Sequence, residues 1–265
     1  MLRSLARGIA VAGTSPALLV TAFVGLLLLW LVYSSTGLIQ APVPGVMAQI
    51  ESLPPMQSAL DANFFGLGAR VFPAAVSVTL AGVLLVLRSA LLAFSISLVI
   101  EWLQGAGGGR AAVRGAVARS SRILQVVVAI QALFLALVFV LPALLGAILG
   151  PLGTVLALVM GMYFLVYAPV VAVHERVGLR ESVRLSARAA RLRGSQHILL
   201  VFPYLLVSLY ITLRTSGSPG FPVTPSLLVW AYALFMTFVH VAVLAALTQR
   251  WRLVRGALVE PEPPG

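Results

Sequence analysis

The residues from Met160 to Gly194, MGMYFLVYAPVVAVHERVGLRESVRLSARAARLRG, decide how the chain is organised. An uncharged apolar segment ends at Val173, and a basic segment follows in which arginines recur every three or four residues. Residues at that spacing lie along one side of a helix, so the segment predicts an amphipathic helix over 176–193 with a stripe of guanidinium groups. The stripe consists of Arg176, Arg180, Arg184, Arg188 and Arg191.

The composition is typical of a membrane protein. Of the 265 residues, 60% are hydrophobic and only 9% are charged, whereas a soluble domain has about 25% charged residues. A surface with so few charges is expected to face lipid. The net charge of +11 is the balance of 18 arginines against seven acidic residues, and the chain has no lysine. Because these arginines lie at the ends of apolar segments, we interpret them as topology signals and not as a nucleic-acid interface.

Six apolar segments divide the chain, and a helix needs about 20 such residues to cross a bilayer. We therefore predict an all-α transmembrane bundle, a single six-span domain over residues 1–255. Cytoplasmic amphipathic helices are expected between spans two and three and between spans four and five. Residues 256–265 contain three prolines and are predicted to form a disordered tail. The predicted spans are about 17–35, 80–103, 123–143, 154–173, 198–213 and 226–248.

The arginines also predict the orientation of the spans. With both termini in the cytoplasm, fifteen of the eighteen arginines lie on the cytoplasmic side, Arg70 and Arg214 lie outside, and Arg88 lies within the second span. The opposite orientation would place fifteen arginines outside and two inside. It is disfavoured because short arginine-rich loops stay in the cytoplasm. We therefore predict a multi-pass protein of the inner (plasma) membrane with both termini in the cytoplasm.

Prolines mark several expected irregularities. Pro16 precedes the first span and suits the first turn of a helix. Pro169 is expected to kink the last turns of the fourth span, because proline lacks an N–H group and clashes with the carbonyl group four residues earlier. The proline-containing segment from Gly37 to Arg70 is predicted to lie outside, with a short amphipathic helix near 56–65.

One short motif occurs twice in the chain. The sequence GGRAAVR at 108–114 resembles GLRESVR at 178–184, and each copy follows a span whose predicted cytoplasmic end carries a glutamate, Glu101 or Glu175. Internal repeats are common in membrane proteins. The two hairpins are therefore either parallel structural repeats or two basic loops that look alike because the protein is rich in arginine.

No catalytic arrangement emerges from the sequence. The chain has no cysteine, and its seven acidic residues and three histidines are scattered, so we predict no enzymatic activity, no metal site and no cofactor. The adjacent His174 and Glu175 resemble an acid–base pair. Neighbouring helical residues do not face each other, however, and we interpret both as interfacial.

Two polar residues lie inside predicted spans. Arg88 is placed about a turn and a half from the outer boundary, and the favoured interpretation is that its side chain extends outward to the interface. A functional role is the alternative. His240 lies near the middle of the sixth span and is expected to be a neutral histidine hydrogen-bonded between helices. A proton relay would need an intramembrane Asp or Glu, and the predicted spans contain none.

The basic helices favour lipid binding. Arginines near a charged membrane surface contribute about 1 kcal/mol each, and Glu181 can pair only with Arg184 at the i+3 position. We predict a lipid-interacting or membrane-organising protein with anionic phospholipids as partners; the stripe could instead dock an acidic protein. A transporter or permease component is the alternative function, favoured by prolines in the spans, the possible repeat and Arg88. The predicted binding residues are Arg110, Arg114, Arg176, Arg180, Arg184, Arg188 and Arg191.

The residues from Tyr163 to Gly194 resemble a group of bacterial and archaeal six-span proteins, which includes the membrane domain attached to some glycerophosphodiester phosphodiesterases. In that group an aromatic-rich span ends in a proline, an acid and a glycine follow, and a basic E-x-x-x-x-S helix precedes the next span. Ala187 replaces the usual large aromatic residue. The resemblance implies a helical membrane domain with a role in envelope lipid handling or membrane assembly. The matching residues are Pro169, Glu175, Gly178, Glu181, Ser186 and Gly194.

Overall fold

The computed structural model describes residues 2–35, 74–105, 110–192 and 227–259. These residues form helices and turns, and no strand occurs among them. The predicted all-α class is therefore confirmed for the described part of the chain. Its helices are α1 (Leu2–Thr14), α2 (Pro16–Ser35), α3 (Ala74–Leu103), α4 (Arg110–Leu149), α5 (Pro151–Leu165), α6 (Ala168–Glu175), α7 (Leu179–Arg191) and α8 (Leu227–Val259).

Two of these helices are long and apolar enough to cross a membrane. They are α3, over Val78–Leu103, and α4, over Arg110–Leu137. The bent pair Arg3–Thr14 and Pro16–Gly25 adds a third if it is counted as one span. The chain thus has the features of a membrane protein, while the count of six spans stays a prediction. Three predictions fall outside the described residues and stay predictions: the external location of the segment 37–70, the helix near 56–65, and the fifth span at 198–213.

Pro16 and Pro169 both lie at the start of a helix, although only a kink was expected at Pro169. The helix α2 begins at Pro16, and its axis meets that of α1 at 86°. In the predicted fourth span, α5 ends at Leu165, and a turn separates it from α6, whose second residue is Pro169. In a continuous helix the ring of Pro169 would clash with the carbonyl group of Leu165, four residues earlier. The expected kink is therefore a complete break.

The basic helix is shorter than the arginine spacing predicts. The helix α6 ends at Glu175, and Arg176 adopts a left-handed backbone conformation with a φ angle of 57°. Helices commonly end on such a residue because it turns the chain away from the axis. Gly178 is extended, and α7 then runs from Leu179 to Arg191. Arg176 therefore lies in the turn between two helices and is not part of the exposed stripe on α7.

The amphipathic helix predicted before the third span is not a separate helix. The helix α4 runs from Arg110 to Leu149 without a break, so the predicted amphipathic helix forms the first turns of the third-span helix. Arginine and alanine favour helix, and the turns pack against α3. The helix α8 likewise extends to Val259, so residues 256–259 of the predicted disordered tail are helical. Leu258 stabilises this extension because it packs against the core.

The core lies where α3, α6 and α8 meet. Large side chains such as Ile96, Tyr167 and Trp251 are completely or almost completely buried there. The helix α1 packs along α8 at Gly8, where an added Cβ would meet the carbonyl oxygen of Ala242. Only glycine allows this approach, and it brings the first and last described helices of the chain into contact.

Candidate functional site

The arginine stripe of α7 faces outward. Arg180, Arg184, Arg188 and Arg191 are all exposed. Arg184 donates two hydrogen bonds to the carboxylate of Glu181, at 2.6 and 2.8 Å, which confirms the predicted pair. The bonds from Arg184 hold the pKa of Glu181 below its ordinary value. One glutamate thus neutralises one guanidinium group, and the stripe keeps a net positive charge.

The opposite face of α7 consists of small residues that pack on α5 and α6. Ser182, Ser186 and Ala190 follow each other at steps of four and are buried. The Ser186 hydroxyl donates to the carbonyl oxygen of Phe164 at 2.7 Å, and the Tyr163 hydroxyl donates to the carbonyl oxygen of Ala190 at 3.0 Å. Small residues permit this close packing. The hydrogen bonds fix the rotation of α7 and therefore the direction of its arginines.

An apolar edge lies beside the stripe. Leu179 is 37% exposed, and Val183 and Ala187 are half-buried. At the end of the stripe, the Arg191 guanidinium lies over the ring of Phe164, 5.7 Å from its centroid. A helix with cationic and apolar edges side by side suits the boundary between head groups and acyl chains.

The two other predicted binding residues, Arg110 and Arg114, are exposed at the start of α4. Further along, Arg119 binds Glu101 of α3, with 2.8 Å between Nη2 and Oε1. Gly115 lies under this carboxylate, and a Cβ added there would come within 3.1 Å of its Oε2 atom. The ion pair and the glycine together hold the start of α4 against the end of α3.

A polar cluster joins the end of α6 to α8. The Oε1 atom of Glu175 accepts a hydrogen bond from Trp251 Nε1 at 2.9 Å and lies 3.2 Å from Arg255 Nε. The His174 Nδ1 atom lies 2.8 Å from the same oxygen, and Arg252 Nε donates to His174 Nε2 at 3.4 Å. A ring nitrogen that accepts a hydrogen bond carries no proton, so this arrangement fits a neutral imidazole whose Nδ1 donates to Glu175.

The prediction that His174 and Glu175 do not face each other was wrong. It assumed that both side chains project from a continuing helix, but α6 ends at Glu175 and the two side chains converge on one part of α8. Burial lowers the pKa of His174 below its ordinary value and outweighs the opposite effect of the Glu175 carboxylate. Arg252 also donates to the carbonyl oxygen of Leu103 at 3.4 Å, so the cluster extends to the end of α3.

The contribution of Trp251 and Arg252 to this cluster was missed from the sequence. Both residues lie in the segment RWRLVR, whose arginines we interpreted as topology signals. The tryptophan in that segment is the one sequence feature that distinguishes it from a simple basic end, because a tryptophan ring needs a large contact area and an acceptor for its N–H.

Arg88 is enclosed by the protein. It is 1% exposed, so the favoured interpretation of a side chain extending outward to the interface was wrong. The reason is packing, since α3 contacts α2, α4, α6 and α8 and is surrounded by helices. His240 is 5% exposed, which agrees with the expected position between helices. Within the described ranges, no group of three or more His, Cys, Asp or Glu side chains is arranged to hold a metal ion.

No protein-family model, curated protein or solved structure matches this chain. The resemblance to the membrane domain of glycerophosphodiester phosphodiesterases stays a prediction. A function for the chain therefore has to be inferred from the geometry of its own helices.

Proposed function

We propose that the chain is a six-span integral protein of the inner membrane, without catalytic activity and with both termini in the cytoplasm, that binds anionic phospholipids. The observation that carries this proposal is the division of α7 into two faces. Its small residues are buried on α5 and α6, and its arginines Arg180, Arg184 and Arg188 are exposed along the other side.

The charge of α7 favours an anionic partner. Glu181 is its one acidic residue and binds Arg184. Arg180 and Arg188 lie one helical turn on either side of Arg184. A guanidinium group presents a planar fork of N–H donors that matches the oxygens of a phosphate. Each arginine near an anionic membrane surface contributes about 1 kcal/mol, and neighbouring arginines act on the same surface.

The way in which α7 is fixed also favours this function. The bonds from Ser186 to Phe164 and from Tyr163 to Ala190 tie the helix to α5 at two points. A helix that is already fixed does not have to be ordered when a ligand binds, and this lowers the part of the entropic cost that comes from the backbone. Leu179 and the half-buried Val183 provide apolar contact next to the arginines, as a lipid with both a phosphate and acyl chains requires.

Replacement of three stripe arginines tests the proposal. The triple variant Arg180→Gln, Arg184→Gln, Arg188→Gln should retain less cardiolipin and phosphatidylglycerol than the wild type when the purified protein is examined by native mass spectrometry. Retention of zwitterionic phosphatidylethanolamine should be unchanged.

The corresponding lysine triple variant is the matched control. It keeps the positive charge but loses the guanidinium fork, so it should retain an intermediate amount of anionic lipid. Equal retention of cardiolipin and phosphatidylglycerol by the wild type and the glutamine variant would contradict the proposal.

A transporter or permease component is the second candidate, favoured by the enclosure of Arg88 among the helices. Charged residues inside membrane proteins often line a path for a polar solute. The chain contains no cysteine, so Ser89→Cys places a single thiol beside Arg88. Labelling of this thiol in intact cells by a membrane-impermeant methanethiosulfonate reagent would indicate a hydrated path. A thiol that reacts only after unfolding would exclude such a path at this level.

A further inference from the structure

The starts of α4 and α7 share one arrangement of buried residues. When the alignment of the two copies of the short motif is continued toward the C-terminus as far as Ser120 and Ala190, three pairs of aligned residues at steps of four are buried. In both cases the buried face packs on the preceding helices, α3 for α4 and α5 with α6 for α7. The corresponding buried pairs are Ala112 and Ser182, Ala116 and Ser186, and Ser120 and Ala190.

The exposed residues correspond as well. Two exposed arginines lie one turn apart in each segment, and an apolar pair lies next to them on the helix surface. On α4 the apolar pair is well exposed, with Val113 at 41% and Val117 at 52%. Each segment therefore presents two guanidinium groups beside two apolar side chains. On α7 the corresponding apolar residues, Val183 and Ala187, are half-buried. The corresponding arginines are Arg110 and Arg180, and Arg114 and Arg184, and the corresponding apolar residues are Val113 and Val183, and Val117 and Ala187.

The charge balance at the start of α4 is more favourable for an anion than that of α7. Ala111 occupies the position that Glu181 has on α7, and the residues from Arg110 to Arg122 include no acid. Glu101 of α3 reaches this segment, but its carboxylate binds Arg119, more than one turn beyond Arg114.

We propose that the start of α4 is a second site for one anionic phospholipid, so that each chain binds two such lipids, one at each copy of the motif. The phosphate lies between Arg110 and Arg114, and an acyl chain lies along Val113 and Val117. This inference rests on the proposed function of α7, because it assigns to α4 the ligand that α7 is proposed to bind.

The helix α1 is a matched control within the same chain. It too has buried small residues at steps of four and packs on another helix, α8. Its exposed Arg3 and Arg7, however, lie on the other flank of the buried face from the exposed Leu5 and Ile9. The cationic and apolar edges are therefore separated, and α1 should not hold a phospholipid in the same way. Its buried residues are Ser4, Gly8 and Ala12.

The test counts phospholipids on the full-length protein. Wild type and variants are purified, exposed to mixed micelles of phosphatidylglycerol and phosphatidylethanolamine, and examined by native mass spectrometry at saturating lipid. The wild type should retain two phosphatidylglycerol molecules. The variant Arg110→Gln, Arg114→Gln and the variant Arg180→Gln, Arg184→Gln should each retain one, the fourfold variant none, and the control Arg3→Gln, Arg7→Gln two.

The outcomes separate the two proposals. If the α4 variant keeps two lipids while the α7 variant keeps one, the second site is overturned and the proposed function stands. If the α7 variant keeps all its lipid, the proposed function fails. Loss of one lipid from the α1 control would show that any exposed arginine pair suffices and would overturn the assignment to the motif.

A further variant distinguishes a phospholipid from a free phosphate ion or another soluble anion. Val113→Gln, Val117→Gln leaves both arginines in place and removes the apolar contact. It should lower retention at the α4 site several-fold if the ligand is a lipid. Unchanged retention, together with displacement of the bound species by inorganic phosphate, would overturn the phospholipid assignment.

Discussion

Two glutamates at corresponding places in the chain are used in different ways. Glu101 lies in the last turn of α3 and binds Arg119, which lies only 18 residues later in the neighbouring helix. Glu175 ends α6 and binds Trp251, 76 residues later in α8. The first interaction closes a local hairpin. The second joins two helices that are far apart in the sequence, so a glutamate near the end of a helix can stabilise either local or long-range structure.

The burial of each partner decides how much its contact with Glu175 contributes to the stability of the fold. Arg255 is 52% exposed and its ion pair with Glu175 is therefore well screened by solvent. Trp251 is 1% exposed, and its N–H has to be satisfied inside the protein. The attachment of α8 to α6 therefore depends on Trp251 more than on the arginines around it.

The largest effect is expected for Trp251→Ala. This change removes a buried indole that lies against Tyr167, with 6.3 Å between ring centroids, and that donates to Glu175. Removal of a buried large aromatic side chain lowers the free energy of unfolding by about 3–5 kcal/mol. The apparent melting temperature of the purified protein in detergent should fall accordingly. Trp251→Phe keeps most of the ring and should lose less, and equal melting of wild type and Trp251→Ala would contradict the central role of this contact.

A smaller effect is expected for Glu175→Ala. The change leaves the N–H groups of Trp251 and His174 without their acceptor in a largely buried place. An unsatisfied buried donor costs about 1–3 kcal/mol. Glu175→Gln keeps an acceptor oxygen and should restore much of the stability. Thermal unfolding of the three proteins in the same detergent gives the comparison, and a glutamine variant as unstable as the alanine variant would show that charge matters more than the acceptor.

Glu101→Ala should destabilise the protein less than Glu175→Ala. Glu101 is about as buried as Glu175, but it binds Arg119 alone, whereas Glu175 binds both Trp251 and His174. The long arginine side chain can turn its guanidinium group toward solvent when Glu101 is removed, so the cost should be about 1 kcal/mol, at the lower end of the range for an unsatisfied donor. The double variant Glu101→Ala, Arg119→Ala should lose less free energy of unfolding than the two single variants together, because both changes remove the same interaction. If Glu101→Ala unfolds at a lower temperature than Glu175→Ala, the distinction between the local and the long-range contact is wrong.

The smallest effect is a pH dependence at His174. Burial lowers the pKa of this histidine in the folded protein, so the unfolded chain binds a proton more readily. The stabilising contribution of the neutral imidazole is complete above the ordinary histidine pKa of about 6.5 and is lost as the pH falls below it. Protonation would also disrupt the bond from Arg252, and Arg255 lies nearby on the same helix. Between pH 7.5 and 5.5 the melting temperature of the wild type should fall more than that of His174→Gln.

Local chemistry predicted several features of the fold correctly. The spacing of the arginines on α7 predicted their common exposed face, and the i+3 step predicted the bond between Glu181 and Arg184. The lack of an N–H group in proline predicted the interruption near Pro169. These features depend only on residues a few positions apart, which is why the sequence alone is sufficient for them.

Features that depend on which helices become neighbours were not predictable in this way. The burial of Arg88 follows from the position of α3 among four other helices. The left-handed conformation of Arg176 follows from the sharp turn between α6 and α7, where glycine would be the usual residue. The bond between Glu175 and Trp251 joins residues whose proximity no local spacing reveals.

The contact of Gly8 with Ala242 imposes an order on biosynthesis. The ribosome makes the N-terminal helix first, yet the helix that covers it emerges roughly 230 residues later, which at 5–20 residues per second takes on the order of ten seconds or more. Until α8 has been made, α1 lacks the surface on which it packs at Gly8. A chain truncated before residue 242 therefore cannot form this contact.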